Sequence, residues 1–277
     1  MFYYRNWERF CRWIVKSGLM SCTAEQSLRI PTTLQFIVLK HDVETAVKRA
    51  YRLAEIEHRY GICGTYYVQA FLLEKEKNVE MLQQMQEWGH EISYHYDVLD
   101  AHSGDYAAAE NDFQEKLTLF KIYGFRFSTI CQHGNPVKNR VGYTSNRDFF
   151  RNKEIRSHYP DLVDLVVDYS KHTKHEYKYI SDVGYRWNII SEPETNDLHP
   201  ETKNVRLNGF KGLRKLISSS NCSFIVSTHP HRWRHCATIA CTKIFFFRTI
   251  RGMVSLACLI PGVKGILNHF YYLAKKI

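Results

Sequence analysis

The chain has 277 residues, of which 44% are hydrophobic and 14% aromatic; this excludes a largely disordered protein and allows one α/β barrel or two ordinary domains. Its formal net charge of +10 is uneven, because residues 202–277 contain 13 of the 38 Lys and Arg residues and none of the 28 acids. No nucleic-acid-binding motif accompanies this basic quarter, so we expect an anionic membrane surface, and no nucleic acid, as its partner.

The cysteines and the N-terminus indicate the compartment. The eight cysteines include no Cys-x-x-Cys pair, so we expect buried, reduced thiols and neither a disulfide framework nor a zinc knuckle. Residues 1–13 are aromatic and charged and lack the apolar core of a signal peptide. We therefore expect a cytoplasmic protein, unless a longer precursor was trimmed.

The first elements are an amphipathic helix and a buried strand. Trp7, Phe10 and Ile14 lie at helical spacing, which predicts an N-terminal helical extension over residues 1–33. An apolar run over 34–44 then predicts a buried strand, and it ends in Asp42 and Glu44. An alternative is that Glu44 only stabilises the first turn of the helix that follows.

Strands and helices alternate through the rest of the chain to about residue 235. Helices are predicted over 45–60, 78–88, 105–123 and 208–218. Strands are predicted over 64–69, 91–94, 125–131, 162–168, 177–181 and 222–227. Residues 136–157 are predicted as a long basic and aromatic loop that covers a site. This alternation favours parallel βαβ units.

Residues that bear reactive groups follow five of these predicted strands. In a (β/α) barrel the carboxyl ends of the strands meet on one face, where active sites lie. A single histidine is more often structural than catalytic, but five independent positions favour a site. The residues are Asp42 with Glu44, His95, His133, Asp182 and His229.

Short motifs at these positions resemble the polysaccharide deacetylases of the NodB-homology type, carbohydrate esterase family 4. They are His-Asp-Val-Glu at 41–44, Gly-His-Glu-Ile at 89–92, His-Gly-Asn-Pro at 133–136, Ser-Asp-Val-Gly at 181–184 and Thr-His-Pro-His-Arg-Trp at 228–233. The set is similar to a WbmS-like subgroup associated with bacterial surface-polysaccharide assembly. The resemblance covers about residues 34–235 and implies a distorted or incomplete (β/α)7 barrel.

The resemblance also implies roles for the residues. Asp42 is the expected catalytic base and Glu44 and His95 are expected metal ligands, although the family usually has Asp where Glu44 stands. The second motif histidine of the family is replaced by Leu99. His133 is our expected third ligand, with Asp97 as the alternative.

The implied reaction is hydrolysis of an N-acetyl group on a sugar. A divalent metal, most often zinc, activates water and polarises the acetyl carbonyl in such sites. Asp42 takes a proton from the water, and His229, oriented by Asp182, protonates the departing amine. The implied substrate is an N-acetylated sugar or a lipid-linked glycan of O-antigen or capsule biosynthesis.

Four further residues are expected to bind substrate: Arg186, Trp187, Trp233 and Asn135. The two tryptophans have the aromatic surface that stacks on sugar rings, and Arg186 and the basic loop bear charge for an anionic group. For Trp233, packing against the end of its strand is the stronger alternative, and a charge run is more often a solvated surface.

Residues 236–277 are expected to form a basic, amphipathic helical tail. Their longest apolar stretch, 244–260, is interrupted by Arg248 and Arg251, which disfavours a membrane-spanning helix and favours a helix lying on anionic headgroups. The alternative is a terminal helix packed on the barrel.

Two other functions remain open at this stage. The departures at Glu44 and Leu99 are also compatible with a degenerate, non-catalytic carbohydrate-binding or scaffold protein of the same fold. A third interpretation retains the metal but has a phosphate or O-acyl ester as the bond that is cleaved.

Overall fold

The computed structural model describes residues 1–135, 138–199 and 204–257. Numbered along the chain, the strands found within these ranges all belong to one sheet: β1 (Met20–Cys22), β2 (Phe36–Val43), β3 (Thr65–Val68), β4 (Glu91–Tyr96), β5 (Thr129–Gln132), β6 (Val163–Asp164), β7 (Tyr177–Ser181), β8 (Asn188–Ile190), β9 (Val205–Arg206) and β10 (Ser223–Thr228).

The α-helices lie between and after these strands. They are α1 (Tyr4–Ser17), α2 (Ala24–Ser27), α3 (Val47–Arg59), α4 (Glu76–Glu87), α5 (Val98–Ala101), α6 (Tyr106–Ile122), α7 (Arg147–Arg151), α8 (Lys153–His158), α9 (Tyr169–His172), α10 (Gly209–Ser218) and α11 (Ala237–Ala257). Three 3₁₀ turns occur at Ala70–Glu74, Val183–Tyr185 and Pro230–Arg232.

The sheet is predominantly parallel. Its spatial order is β6-β5-β4-β3-β2-β10-β7-β8-β9. The first seven strands run in one direction, β8 runs antiparallel to β7, and β9 runs antiparallel to β8 and therefore in the direction of the first seven. β1 pairs in parallel with the first half of β2. The predicted α/β class is confirmed. Because no pairing joins β6 to β7 in the described ranges, the distorted or incomplete (β/α)7 barrel stays a prediction.

Alternation along β2 separates a site face from a helix face. Side chains two residues apart share a face of a strand, so Phe36, Val38, Lys40 and Asp42 lie on one side. The apolar members of this set belong to one buried cluster with side chains from β3, β5, β7 and β10: Tyr67, Cys131, Tyr179 and Ile225. Lys40 and Asp42 therefore lie at the exit end of this buried face.

The opposite face of β2 is joined to the N-terminal helix through a buried carboxylate. Glu57 of α3 accepts hydrogen bonds from Trp7 Nε1 and Tyr66 Oη, each at 2.8 Å, and its Oε1 lies 2.9 Å from His41 Nε2. Burial opposes ionisation, but His41 and the hydrogen bonds lower the pKa of Glu57 below its usual value. Residues 1–33 therefore contribute to the core as well as a strand to the sheet.

Most predicted elements agree with the structure to within a few residues, but two segments differ. The expected strand over 162–168 is only the two-residue β6, and the chain turns directly afterwards because Asp164 Oδ1 accepts hydrogen bonds from the N–H groups of Val166 and Val167, both at 2.8 Å. The prediction of a continuous loop over 136–157 is wrong, since α7 and α8 occupy its second half. Phe149, Phe150 and Ile155 are buried there.

The helix α11 lies against the body of the protein at its beginning. Ala240 is buried, Ile244 packs against a core cluster, and the Phe247 ring lies 4.9 Å from that of Tyr185. By contrast, Phe245 and Phe246 are 67% and 56% exposed. The rest of the predicted tail, residues 258–277, lies outside the described residues.

Candidate active site

The sheet order places the reactive residues side by side. The adjacent strands β5, β4, β2, β10 and β7 end next to His133, His95, Asp42, His229 and Asp182, with only β3 intervening between β4 and β2. All of these strands are parallel, so their exits lie at the same edge of the sheet. Residues separated by almost 190 positions therefore meet because of topology.

Three predicted metal ligands converge at this edge. One ligand atom each from Glu44, His95 and His133 lies within 4.8 Å of the others, and all three side chains are buried. Nδ1 of His95 donates a hydrogen bond to the Cys131 carbonyl at 3.0 Å, which leaves the Nε2 lone pair available. Two imidazoles and one carboxylate form a ligand set that catalytic zinc sites use, so the residues present fit such an ion.

A second group of possible donors overlaps the first. Asp42, His95 and Cys131 also offer ligand atoms within 4.8 Å of one another. However, the buried Lys40 ammonium already binds the Asp42 carboxylate, and burial raises the pKa of the Cys131 thiol far above its usual range. A cation at this second position would face both a resident positive charge and a protonated thiol. The first group is therefore the better candidate for a metal site.

Asp42 is held ionised by Lys40. Both side chains are buried, and the ammonium also lies 5.3 Å from the centroid of the Tyr67 ring and 3.4 Å from Ser227 Oγ. Burial alone would raise the pKa of Asp42, but Lys40, followed by His95 and His229, lowers it to about 2. The same carboxylate, acting against desolvation, holds the pKa of Lys40 well above its usual range. Asp42 is thus available to accept a proton.

His229 faces Asp42 and Glu44 from the exit of β10. Its Nε2 lies 3.8 Å from Asp42 Oδ2 and 3.8 Å from Glu44 Oε1, while its Nδ1 donates to Asp182 Oδ1 at 2.7 Å. Burial would raise the pKa of Asp182, but Arg232 and His229 hold it below its usual range. The fully buried Asp182 therefore fixes the ring so that Nε2 points toward the converging groups.

The segment after β5 that bears His133 is held by a polar network. Asn146 Nδ2 donates to the His133 carbonyl and to Asp100 Oδ2, both at 2.9 Å. The Arg140 guanidinium donates two hydrogen bonds of 2.7 Å to the carboxylate of the same Asp100, and a third of 2.8 Å to the Asn135 carbonyl. The position of His133 thus depends on residues of the following segment as well as on β5.

The two tryptophans are not available to stack on a sugar, which corrects both predictions. Trp187 is 1% exposed and its ring lies 5.5 Å from those of Phe2 and Phe210, inside the core. Trp233 is fully buried, and its Nε1 donates to Thr228 Oγ1, which in turn donates to Asp182 Oδ2. Trp233 therefore packs against the end of its strand, as the alternative predicted. It also supports Asp182, the hydrogen-bond partner of His229, through Thr228.

The other predicted residues occupy different surroundings. Arg186 is exposed, directly after the 3₁₀ turn that follows β7. Asn135 is half-buried two residues beyond His133. Their roles in substrate binding stay predictions. Asp97, the alternative third ligand, accepts a hydrogen bond from Gln69 at 3.3 Å and belongs to neither group of donors found in the described ranges.

Two site residues were not predicted from the sequence. Lys40 was missed, although a lysine two positions before Asp42 in an apolar strand shares its face and is a detectable signal. His231 lies within the Thr-His-Pro-His-Arg-Trp motif, but the motif alone does not assign it a role. Its Nδ1 lies 3.9 Å from Glu44 Oε2 and its ring centroid lies 5.7 Å from that of His229. Burial, followed by Arg232, lowers the pKa of His231 to about 3.

The chain matches no family model and no curated protein. Among solved structures it is similar to a family 4 carbohydrate esterase from Streptomyces lividans in complex with acetate, with 10% identity over 71% of this chain and 79% of that one and a TM-score of 0.43. It is also similar to the peptidoglycan deacetylase PdaC from Bacillus subtilis, with 14% identity over 83% and 99% and a TM-score of 0.37. Similarities this weak do not assign the chain to a family.

Proposed function

We propose that this chain is a metal-dependent hydrolase that removes an N-acetyl group from a sugar. The observation that carries the proposal is the convergence of the Glu44, His95 and His133 ligand atoms within 4.8 Å of one another, beside Asp42 and the His229–Asp182 pair. The closeness of these side chains supports the roles that we propose for them: a carboxylate base, a histidine oriented by a second carboxylate, and a set of metal ligands.

The residues of the chain have complementary tasks in amide hydrolysis. When bound by Glu44, His95 and His133, a divalent ion such as zinc supplies Lewis acidity for a water molecule and the acetyl carbonyl. Asp42 Oδ2 accepts the proton of the attacking water, because Lys40 keeps it ionised. His229 Nε2 gives a proton to the departing amine, since an amide nitrogen is a poor leaving group until it is protonated.

The sugar and its biological setting belong to the proposal too. The motifs at 89–92, 133–136, 181–184 and 228–233 support a substrate from bacterial surface-polysaccharide biosynthesis, either an N-acetylated sugar or a lipid-linked glycan. The motif histidine that the family would have at position 99 is replaced by a fully buried Leu99 in the core, and His133 takes its place among the donors.

Metal analysis of the purified chain, combined with acetate release from N-acetylated sugars, tests the proposal. We expect about one divalent ion per chain and acetate release that a chelator abolishes and zinc restores. A chain that binds no metal and releases no acetate with any divalent ion would instead be the non-catalytic carbohydrate-binding protein. Release of phosphate or of an O-linked acyl group, with no amine formed, would indicate an esterase.

We propose further that α11 lies on an anionic membrane surface. In the described residues no helix has both the length and the apolar character needed to cross a membrane. Phe245 and Phe246 are nevertheless largely exposed, and residues 202–277 contain basic residues but no acid. Exposed aromatic rings beside positive charge are the features by which interfacial helices bind anionic headgroups. A peripheral location on the inner face of the cytoplasmic membrane follows from this proposal.

The double variant Phe245→Ser/Phe246→Ser is expected to bind anionic vesicles at least about tenfold more weakly, because burying one large apolar side chain contributes roughly 1.5–3 kcal/mol. Co-sedimentation with vesicles containing phosphatidylglycerol measures the change. Phe71→Ser is the matched control, since Phe71 is 52% exposed on the body of the protein and its loss should change nothing. Equal sedimentation of the double variant and the unmodified chain would reject the membrane role of α11.

A further inference from the structure

Four basic side chains lie close together around His231, beside the candidate site. Arg49 lies in the first turn of α3, Arg232 and Arg234 follow β10, and Lys243 lies on α11. Nη1 of Arg49 and Nη1 of Arg234 donate to the same acceptor, the His231 carbonyl oxygen, at 2.6 and 2.7 Å. Two guanidinium groups are therefore held within a few ångströms of each other. We call these four residues the basic cluster.

Most of this positive charge is not neutralised by the protein. Arg232 pairs with Asp182, but no carboxylate in the described residues forms an ion pair with the other three members, and Arg234 is only 9% exposed. Partial burial, followed by Arg234, Arg49 and Arg232, lowers the pKa of Lys243 to about 8. Burial and Arg49 also lower the pKa of Arg234. Like charges held this closely repel one another, and a bound anion would relieve the repulsion.

His231 connects the basic cluster to the catalytic residues. Its carbonyl oxygen receives the Arg49 and Arg234 bonds, whereas its side chain faces Glu44. An anion bound to the basic cluster would thus be separated from the proposed site of hydrolysis by a single residue, His231. Guanidinium groups match the geometry of both carboxylate and phosphate oxygens. A phosphate or diphosphate carries more negative charge than an isolated carboxylate, and it therefore suits a cluster of several cations better.

We propose that the basic cluster binds a phosphate or diphosphate group of the substrate, so that the acetylated sugar is presented while it is attached to a phosphorylated carrier. The part of this proposal that concerns substrate presentation rests on the proposed deacetylase function. Anion binding by the basic cluster does not depend on it. A neutral polysaccharide would leave the cluster without an occupant.

Calorimetric titration with inorganic diphosphate tests the binding step directly. The double variant Arg49→Gln/Lys243→Gln should bind diphosphate at least about tenfold more weakly, because a charge-assisted hydrogen bond contributes about 1.5–3 kcal/mol. Arg234 is left intact because it is largely buried. Arg59→Gln removes one positive charge from the other end of α3, outside the basic cluster, and this control should bind diphosphate as the unmodified chain does. Equal affinity in the double variant, or no diphosphate binding by the unmodified chain, would overturn the proposal.

The metal content of the same samples separates this proposal from the proposed function. A chain without metal or acetate release whose diphosphate binding still falls in the double variant supports the anion site and rejects the deacetylase. If the chain binds metal and releases acetate, but the double variant binds diphosphate as well as the unmodified chain does, the deacetylase function is supported and the anion site is rejected.

Two substrates distinguish the source of the phosphate: a nucleoside-diphosphate N-acetyl sugar in solution, and a polyprenyl-diphosphate N-acetyl sugar in phosphatidylcholine vesicles. For whichever of the two substrates is hydrolysed, KM should be at least about tenfold higher in the double variant, because the same charge-assisted hydrogen bonds to the phosphate are lost. An unchanged KM for both would overturn the role in presentation.

Discussion

Asp42→Asn is expected to reduce the rate of acetate release by about 10²- to 10⁴-fold, the range that loss of a positioned general base costs. Asparagine keeps the size of the side chain but has no carboxylate to accept the proton of water. Because Asp42 is ionised against Lys40 and lies outside the Glu44, His95 and His133 group, the variant should retain its metal. Steady-state rates and metal content, measured on one sample, test both parts.

The same substitution leaves the Lys40 ammonium buried without a carboxylate. Breaking a buried ion pair by removing one partner costs about 3–5 kcal/mol, so the free energy of unfolding of Asp42→Asn should fall by a similar amount. Lys40→Met/Asp42→Asn removes both charges and should recover most of this stability while remaining inactive. Denaturant unfolding measures the recovery. Activity near that of the unmodified chain in either variant would show that Asp42 is not the base.

The positions of residues at strand exits predicted which side chains the structure brings together, because they depend only on local sequence pattern. Each of Asp42, His95, His133, Asp182 and His229 follows an apolar strand that could be identified from its own sequence, and parallel strands then bring their exits together. The distance from the strand end does not separate His133 from Asp97, because each directly follows the last residue of its strand, β5 and β4 respectively.

Burial of the aromatic residues could not be predicted in the same way. Trp187 and Trp233 are covered by Phe2 and Trp7, which are more than 170 positions away in the chain, and no local pattern indicates this contact. A tryptophan beside a motif has the same local sequence whether it packs in the core or stacks on a ligand. The basic cluster was missed for a similar reason, because Arg49 and Lys243 come together only when α3 and α11 are placed beside the exit of β10.

Glu44→Gln and His133→Ala are each expected to weaken zinc binding by more than about 100-fold, since loss of a residue that merely orients a ligand already costs about 10- to 100-fold. His95 belongs to both groups of donors and does not discriminate between them. Cys131→Ser discriminates between the two groups, because Cys131 belongs only to the group that contains Asp42. We expect this variant to bind zinc normally. Asp97→Asn should also bind normally. Competition with a chromogenic chelator gives the affinities. If Cys131→Ser lost zinc while Glu44→Gln and His133→Ala retained it, the ion would instead bind to the group that contains Asp42. An ion bound there would compete with Lys40 for the Asp42 carboxylate, and Asp42 would then not be free to act as the base.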